Sequence, residues 1–163
     1  MPRVDKYVGI NIMRQMSRRE ELPLELTHRV RDTCFCLHVQ RAARAVARRY
    51  DEALRPLALT NGQFTLLMSL NRGEPPTIGE VAAILAMDRT TLTANLKPLQ
   101  RRRLVKVTAD SEDKRSRRLV LTALGREALA AAVPAWRRVQ AALERVLAAS
   151  SPERLRGDLR ALS

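Results

Sequence analysis

The sequence predicts a mainly α-helical protein that carries one small β-hairpin. Three observations lead there. Apolar residues recur at helical spacing over most of the chain. Aromatic residues make up only 3% of the 163 residues, so Leu, Ala and Val must build the core, which suits helices packed on helices. Only after Leu104 does the pattern alternate with period two, as a strand does.

The elements follow in order. Residues 1–23 read as an N-terminal extension, in which Val8, Ile12 and Met16 have the spacing of a short amphipathic helix. A long helix is expected from about Thr27 or Thr33 to Leu54, along the stripe Phe35, Val39, Ala42, Val46, Tyr50 and Ala53, with Pro56 marking its end. Thr60 caps a second helix through Phe64, Leu67 and Met68, and Gly73, Pro75 and Pro76 break it. Thr77 and Glu80 have capping-box spacing and open a short helix over 78–85. Ala86 and Met87 form a tight connection, and Asp88 is a good N-cap for a helix from Arg89 to about Arg102. Within it Pro98 gives up one helical hydrogen bond and is expected to bend the axis. Val105–Thr108 and Arg118–Leu121 alternate as two strands around a small or charged loop, a hairpin with a projecting tip. Thr122 caps a long helix to about Ala149, which Pro134 should kink or loosen, and Pro152 opens a last short helix.

The formal net charge is +13. An excess of that size on a small chain favours a polyanionic partner over an apolar one, although solvated faces of an Arg-rich chain are the bland explanation. No apolar core of a secretory signal appears near the N-terminus, and the longest apolar run, 128–136, is too short to span a bilayer, so a cytoplasmic location and no membrane partner are expected. Two cysteines, Cys34 and Cys36, make no disulfide framework, and with only His28 and His38 they make no zinc site. No metal and no cofactor is expected. Enzymatic chemistry lacks support too: the acids are scattered, both histidines lie near one helix start, and no H-E-x-x-H or Gly-rich phosphate loop occurs.

Short helix, turn, helix and hairpin together make a winged helix-turn-helix lobe, flanked by long N- and C-terminal helices. The expected segments are a 1–23 extension, a 24–57 dimerisation helix, a 58–121 DNA-binding lobe and 122–163 C-terminal dimerisation helices. The flanking stripes are too long to bury against so small a middle, which points to a second copy. The helix opened by Asp88 supplies Arg89, Thr90, Thr91, Thr93, Ala94 and Lys97, of which Arg89, Thr90, Thr93, Ala94 and Lys97 can share one face while Leu92, Leu96 and Leu99 take the other. Arg89 suits guanine, the threonines a base edge or phosphate, and Lys97 and Arg101 phosphates. Three threonines early in an exposed helix are not what helix stability selects. The hairpin tip adds Lys114, Arg115, Ser116 and Arg117, a basic wing for a narrow minor groove. Asp110 and Asp113 are expected to brace the turn and to hold the Arg115 guanidinium.

Asp110-x-x-Asp113-x-Arg115, followed by Leu119-Val120-Leu121-Thr122-x-x-Gly125, resembles the wing signature of the multiple-antibiotic-resistance-regulator (MarR) family. Leu59-Thr60-x-x-Gln63-Phe64 and Met87–Leu92 are similar to its usual pattern, and the resemblance covers about 34–147. It implies a homodimer joined by its terminal helices that binds a palindromic duplex operator, usually as a repressor, often released by a small aromatic ligand. It also implies that Arg115 is the minor-groove arginine and that Thr90, Thr91 and Thr93 lie on the recognition helix. The 1–23 extension departs from the family pattern.

Two sensors are compatible with the residues. A small-molecule effector would meet His38, Arg41, Phe64, Met68 and Trp136, with Arg41 as the anion partner; the plainer role of Phe64, Met68 and Trp136 is core. Alternatively Cys34 or Cys36 responds to oxidation. Two residues apart on an intact helix they would point to opposite sides and would not pair with each other. The remaining alternative is a non-specific basic DNA-binding protein, which the charge explains but the capped helix-turn-helix and basic wing do not.

Overall fold

A computed structural model describes residues 22–110, 113 and 115–162. The helix expected around Val8, Ile12 and Met16 lies outside these residues, as does Lys114. The described residues fall into two units, one ending at Ala43 and one beginning at Arg44. In chain order the elements are α1 (Leu24–Thr33), α2 (Phe35–Leu54), a 3-10 turn (Arg55–Leu57), α3 (Asn61–Ser69), α4 (Ile78–Ile84), α5 (Arg89–Arg101), β1 (Val105–Ala109), β2 (Arg117–Leu121), α6 (Ala123–Val146), a second 3-10 turn (Ala148–Ser150) and α7 (Pro152–Ala161). The architecture is mainly α with one antiparallel hairpin, as expected.

The first long helix, α2, starts near the later of its two expected positions, and the residues around the earlier one, Thr27, form a separate helix, α1, divided from it at Cys34, whose backbone is extended (φ −72°, ψ 108°). Local hydrogen bonds flank the break: Thr33 turns its hydroxyl back to the Arg29 carbonyl at 2.7 Å. The Cys34 carbonyl then accepts both the His38 N–H (3.1 Å) and the His38 Nδ1–H (2.9 Å), which starts α2 afresh.

Cap chemistry sets the remaining starts. Thr60 and Gln63 exchange side chain and backbone in a capping box, each bond at 3.2 Å. Thr77 and Glu80 do the same at 3.2 and 2.6 Å. Asp88 accepts the Thr91 N–H at 2.7 Å, and Thr122 accepts the Gly125 N–H at 3.0 Å. Three ends share one solution: Ala58, Ala86 and Arg103 take left-handed backbone, with φ of 52°, 48° and 58°. In each, the following N–H reaches back five residues, Leu59 to Leu54, Met87 to Ala82 and Leu104 to Leu99. These are Schellman closures made without glycine. Helices α5 and α6 each continue as one element through Pro98 and Pro134.

The core lies in the second unit. Leu54, Leu66, Leu67, Val81, Leu92, Leu99 and Leu119 have essentially no exposed side chain. Burial of each is worth about 1.5–3 kcal/mol against exposure, so α5 is held chiefly by its leucine face. Phe64 stacks on Trp136 with ring centroids 6.4 Å apart. Gly125 is required where α6 begins, since a Cβ there would stand 2.1 Å from the Leu104 carbonyl oxygen.

In the hairpin Val105 pairs with Leu121 and Ala109 with Arg117. A third short partner, not expected from sequence, joins it: Thr77 bridges Arg118, and the Leu119 N–H donates to the Pro76 carbonyl at 2.8 Å. One bridging residue carries no periodicity, so only the folded chain reveals it. It fastens the wing to the start of α4.

Candidate nucleic-acid interface

Helix α5 presents the face its periodicity predicts. Arg89, Thr90, Thr93, Ala94 and Lys97 line one shallow concavity, and Lys97, Gln100 and Arg101 line the next. Leu92, Leu96 and Leu99 are buried behind them. The exposed face is polar and basic, without an acidic side chain among those lining residues.

Two members of the predicted set have local structural duties. Asp88 is committed to the cap: besides the Thr91 N–H, its carboxylate accepts the Thr91 hydroxyl at 2.9 Å. These two bonds, the backbone one first, hold its pKa below the usual carboxylate range. Thr91 is therefore turned toward the cap, and part of the threonine cluster is explained by helix stability after all. The Thr93 hydroxyl donates to the Arg89 carbonyl at 2.7 Å, which leaves its oxygen on the outer face as an acceptor. Glu80 is lowered like Asp88, chiefly by the Thr77 N–H.

The wing is braced by Asp110 and Asp113, but not through Arg115. Asp110 is buried, 6% exposed, and its Oδ2 receives Arg118 Nε at 2.5 Å. Its Oδ1 accepts the Asp113 N–H at 3.1 Å, and Asp113 accepts the Arg115 backbone N–H at 2.9 Å. Ser116 closes the turn, donating its N–H to the Asp113 carbonyl at 2.9 Å. Expectation had the Arg115 guanidinium held here. The structure gives that place to Arg118, because β2 sets Arg118 at the base of the wing while Arg115 sits on the exposed turn. Arg117 is exposed at the start of β2.

The candidate sensor residues are divided between the two units. Phe64 is buried against Trp136, and Met68 is 43% exposed. His38 and Arg41 belong to the other unit and are exposed; His38 is engaged with the Cys34 carbonyl. Cys34 is half-buried and Cys36 exposed, with Cys36 Sγ accepting from Gln40 Nε2 at 3.2 Å. Because Cys34 interrupts the helix, the intact-helix argument against their pairing no longer applies.

Sequence reasoning missed three further anchors. Arg118, at the base of the wing, is the first. Arg102 donates from its guanidinium to the Ala58 and Leu57 carbonyls, at 2.5 and 3.1 Å. Asp51 Oδ1 accepts the Asn61 N–H at 2.6 Å, at the start of α3. Arg118 and Arg102 each reach a carbonyl more than 40 positions away, so no local pattern announces them.

A MarR-family model matches residues 59–116, the lobe and the wing turn. The M. tuberculosis transcriptional regulator MosR, solved in complex with DNA, is 44% identical, covering 79% of this chain and 92% of its own, with a TM-score of 0.70. The transcriptional repressor CouR, solved on a 23-mer DNA duplex and known from Rhodococcus jostii RHA1, is 28% identical over 88% of this chain and 99% of its own, with a TM-score of 0.72. Among curated proteins, the regulator SarZ of Staphylococcus epidermidis is 25% identical over 104 residues, 64% of this chain and 69% of SarZ. With a capped α5, a braced wing and this degree of identity to MosR, the chain belongs to the MarR family of winged helix-turn-helix, DNA-binding transcriptional regulators and is not an enzyme.

Proposed function

We propose that the chain is a homodimeric, sequence-specific repressor that binds a palindromic operator and is released by a small, often aromatic, ligand. The observation that carries the DNA part is the single polar and basic face of α5, Arg89, Thr90, Thr93, Ala94 and Lys97, backed by buried leucines. In this reading Arg89 and the outer threonines meet base edges, and Lys97 and Arg101 meet phosphates. Lys114, Arg115, Ser116 and Arg117 supply the wing, with Arg115 in the minor groove. Asp88 and Thr91 act by fixing the start of the recognition helix. A duplex-binding regulator of this kind works in the cytoplasm; no described helix is long and apolar enough to cross a membrane.

The homodimer reading is supported by large apolar side chains left exposed on the terminal helices of one copy, Leu24, Val30 and Phe35 at one end and Val146, Leu159 and Leu162 at the other. A two-fold dimer presents two recognition helices about 34 Å apart, one DNA turn, which explains a palindrome. Selection from a random duplex library by the purified chain tests this. A recovered palindrome with half-sites one turn apart, bound about 10³-fold or more over random duplex at one stated salt, is the expected result. A ratio near one identifies a non-specific basic binder and withdraws the proposal.

For the effector, His38, Arg41, Phe64, Met68 and Trp136 are the proposed contacts, Arg41 pairing with an anion. Calorimetry with a panel of aromatic carboxylates should show weaker binding to Arg41→Ala than to the unaltered chain; equal affinities remove Arg41 from this role.

One observation favours a second sensor. Cys34 stands at a break between helices and Cys36 is exposed, two residues on, which leaves both thiols open to oxidation or pairing. Peroxide treatment should then lower operator affinity or change the dimer's covalent mass. No change in either rejects redox control.

A further inference from the structure

We propose that Arg102 is a positioning residue for operator binding: it sets the recognition helix by gripping the end of α2 and does not touch DNA. The inference rests on the sequence-specific reading above. Past Leu54 the chain makes a 3-10 turn and closes at Ala58 in left-handed backbone. Such a closure satisfies earlier carbonyls and leaves the last ones without helical partners. The orphaned carbonyls are those of Leu57 and Ala58, and both arms of the Arg102 guanidinium donate to them.

Arg102 is itself the C-cap of α5, with its N–H turned back to the Gln100 and Pro98 carbonyls. Its side chain leaves the helix about 100° round from that of Arg101. Arg101 shares the concavity of Lys97 and Gln100, on the outer face, whereas Arg102 faces the end of α2. Neighbouring arginines therefore have different tasks, one free for phosphate and one spent on backbone.

A second attachment lies at the start of α3. Asp51, on the last turn of α2, takes the Asn61 N–H at 2.6 Å. The adjoining Gly62 lies so close to Asn95 of α5 that a Cβ would stand 2.7 Å from Asn95 Oδ1. The end of α2 thus meets α5 directly through Arg102 and indirectly through Asp51, Asn61 and Gly62. These two contacts restrain tilting of α5 about the end of α2. The planar guanidinium fork matters here: it holds two carbonyls at a defined angle, whereas an ammonium is a point charge without that constraint.

The test compares Arg102→Ala, Arg102→Lys and Lys97→Ala with the unaltered chain, at a temperature where each is folded by circular dichroism. Two duplexes are used: the sequence recovered by the unaltered chain from a random library, and a random duplex of equal length. For Arg102→Ala, affinity for the recovered duplex should fall about tenfold, the loss expected when charge-assisted bonds that orient a helix are removed. Affinity for random duplex and its salt slope should stay unchanged, and Arg102→Lys should not restore the lost preference. Lys97→Ala serves as the phosphate control, with a slope smaller by about 0.9. If Arg102→Ala lowers the slope in the same way, or if lysine restores binding, Arg102 is a phosphate contact and the proposal is overturned. Undiminished preference in Arg102→Ala overturns it as well. A ratio near one for the unaltered chain defeats the operator reading itself, and positioning with it, since no register would then exist to set.

Discussion

Asp110 and Arg118 form the one ion pair, among the described residues, with a buried carboxylate, and the same guanidinium donates from Nη1 to the Pro75 carbonyl at 2.8 Å. The wing is thereby tied at its base both to itself and to the loop that opens α4. Removing the carboxylate leaves a partly buried arginine and the Asp113 N–H without their acceptor. Asp110→Ala should cost about 2 kcal/mol in urea unfolding. Proteolysis should also begin in the wing of that variant before the rest of the chain is cut. Unaltered protection of the wing would show that the pair does not hold it.

Gly125 makes a sharper steric prediction. Its missing Cβ would meet the Leu104 carbonyl oxygen at 2.1 Å and Leu121 Cδ1 at 2.7 Å. The first is backbone and is already accepting the Thr122 N–H at 3.1 Å, so it cannot swing aside. Gly125→Ala should destabilise by about 3 kcal/mol, the upper range of overpacking. Thermal unfolding measures it, and a loss under about 1 kcal/mol would mean that α6 slides easily.

Ala86 invites the opposite change. It holds φ at 48° in the turn between α4 and α5, where a side chain is disfavoured and glycine is not. Ala86→Gly should raise stability by about 0.5–1 kcal/mol, the left-handed penalty relieved less the extra freedom glycine has when unfolded. A lower unfolding midpoint would show that the Schellman closure tolerates alanine at no cost.

The caps at Asp88 and Glu80 predict a pH dependence with a definite sign. Both carboxylates are held below their ordinary range, in each case first by a backbone N–H, that of Thr91 or of Thr77. A group with a lowered folded-state pKa adds stability above its unfolded value and loses it as pH falls through the folded one. Stability from these caps should therefore be complete at neutral pH and fade below the ordinary carboxylate range. Asn caps a helix without titrating there. The gap in urea midpoint between the unaltered chain and Asp88→Asn should shrink steadily on acidification, and a gap independent of pH would remove the charged cap from the account.

Arg115 and Lys97 should fail differently on DNA. Arg115→Ala is expected to weaken binding to the recovered operator about tenfold and to lose preference for narrow-groove flanks. Lys97→Ala should weaken every duplex alike and flatten the salt dependence. Identical profiles for the two would mean that the wing and the recognition helix read nothing different from one another.

The cap residues, the periods of the helices and of the two strands, and the outward face of α5 were legible in the sequence. Each of these depends on residues one to four positions apart, where helical period, strand alternation and side-chain-to-backbone bonds act without help from the rest of the chain. Thr60, Thr77, Asp88 and Thr122 cap as expected for that reason. Folding in three dimensions chose which arginine Asp110 takes, since Arg115 is five positions away and Arg118 eight, and the strand register sets the more distant one against the carboxylate. It also decided that Thr77 joins the wing and that Arg102 turns to the end of α2. Those partners lie some 40 residues apart, and a guanidinium carries no local mark of which distant carbonyl it will meet.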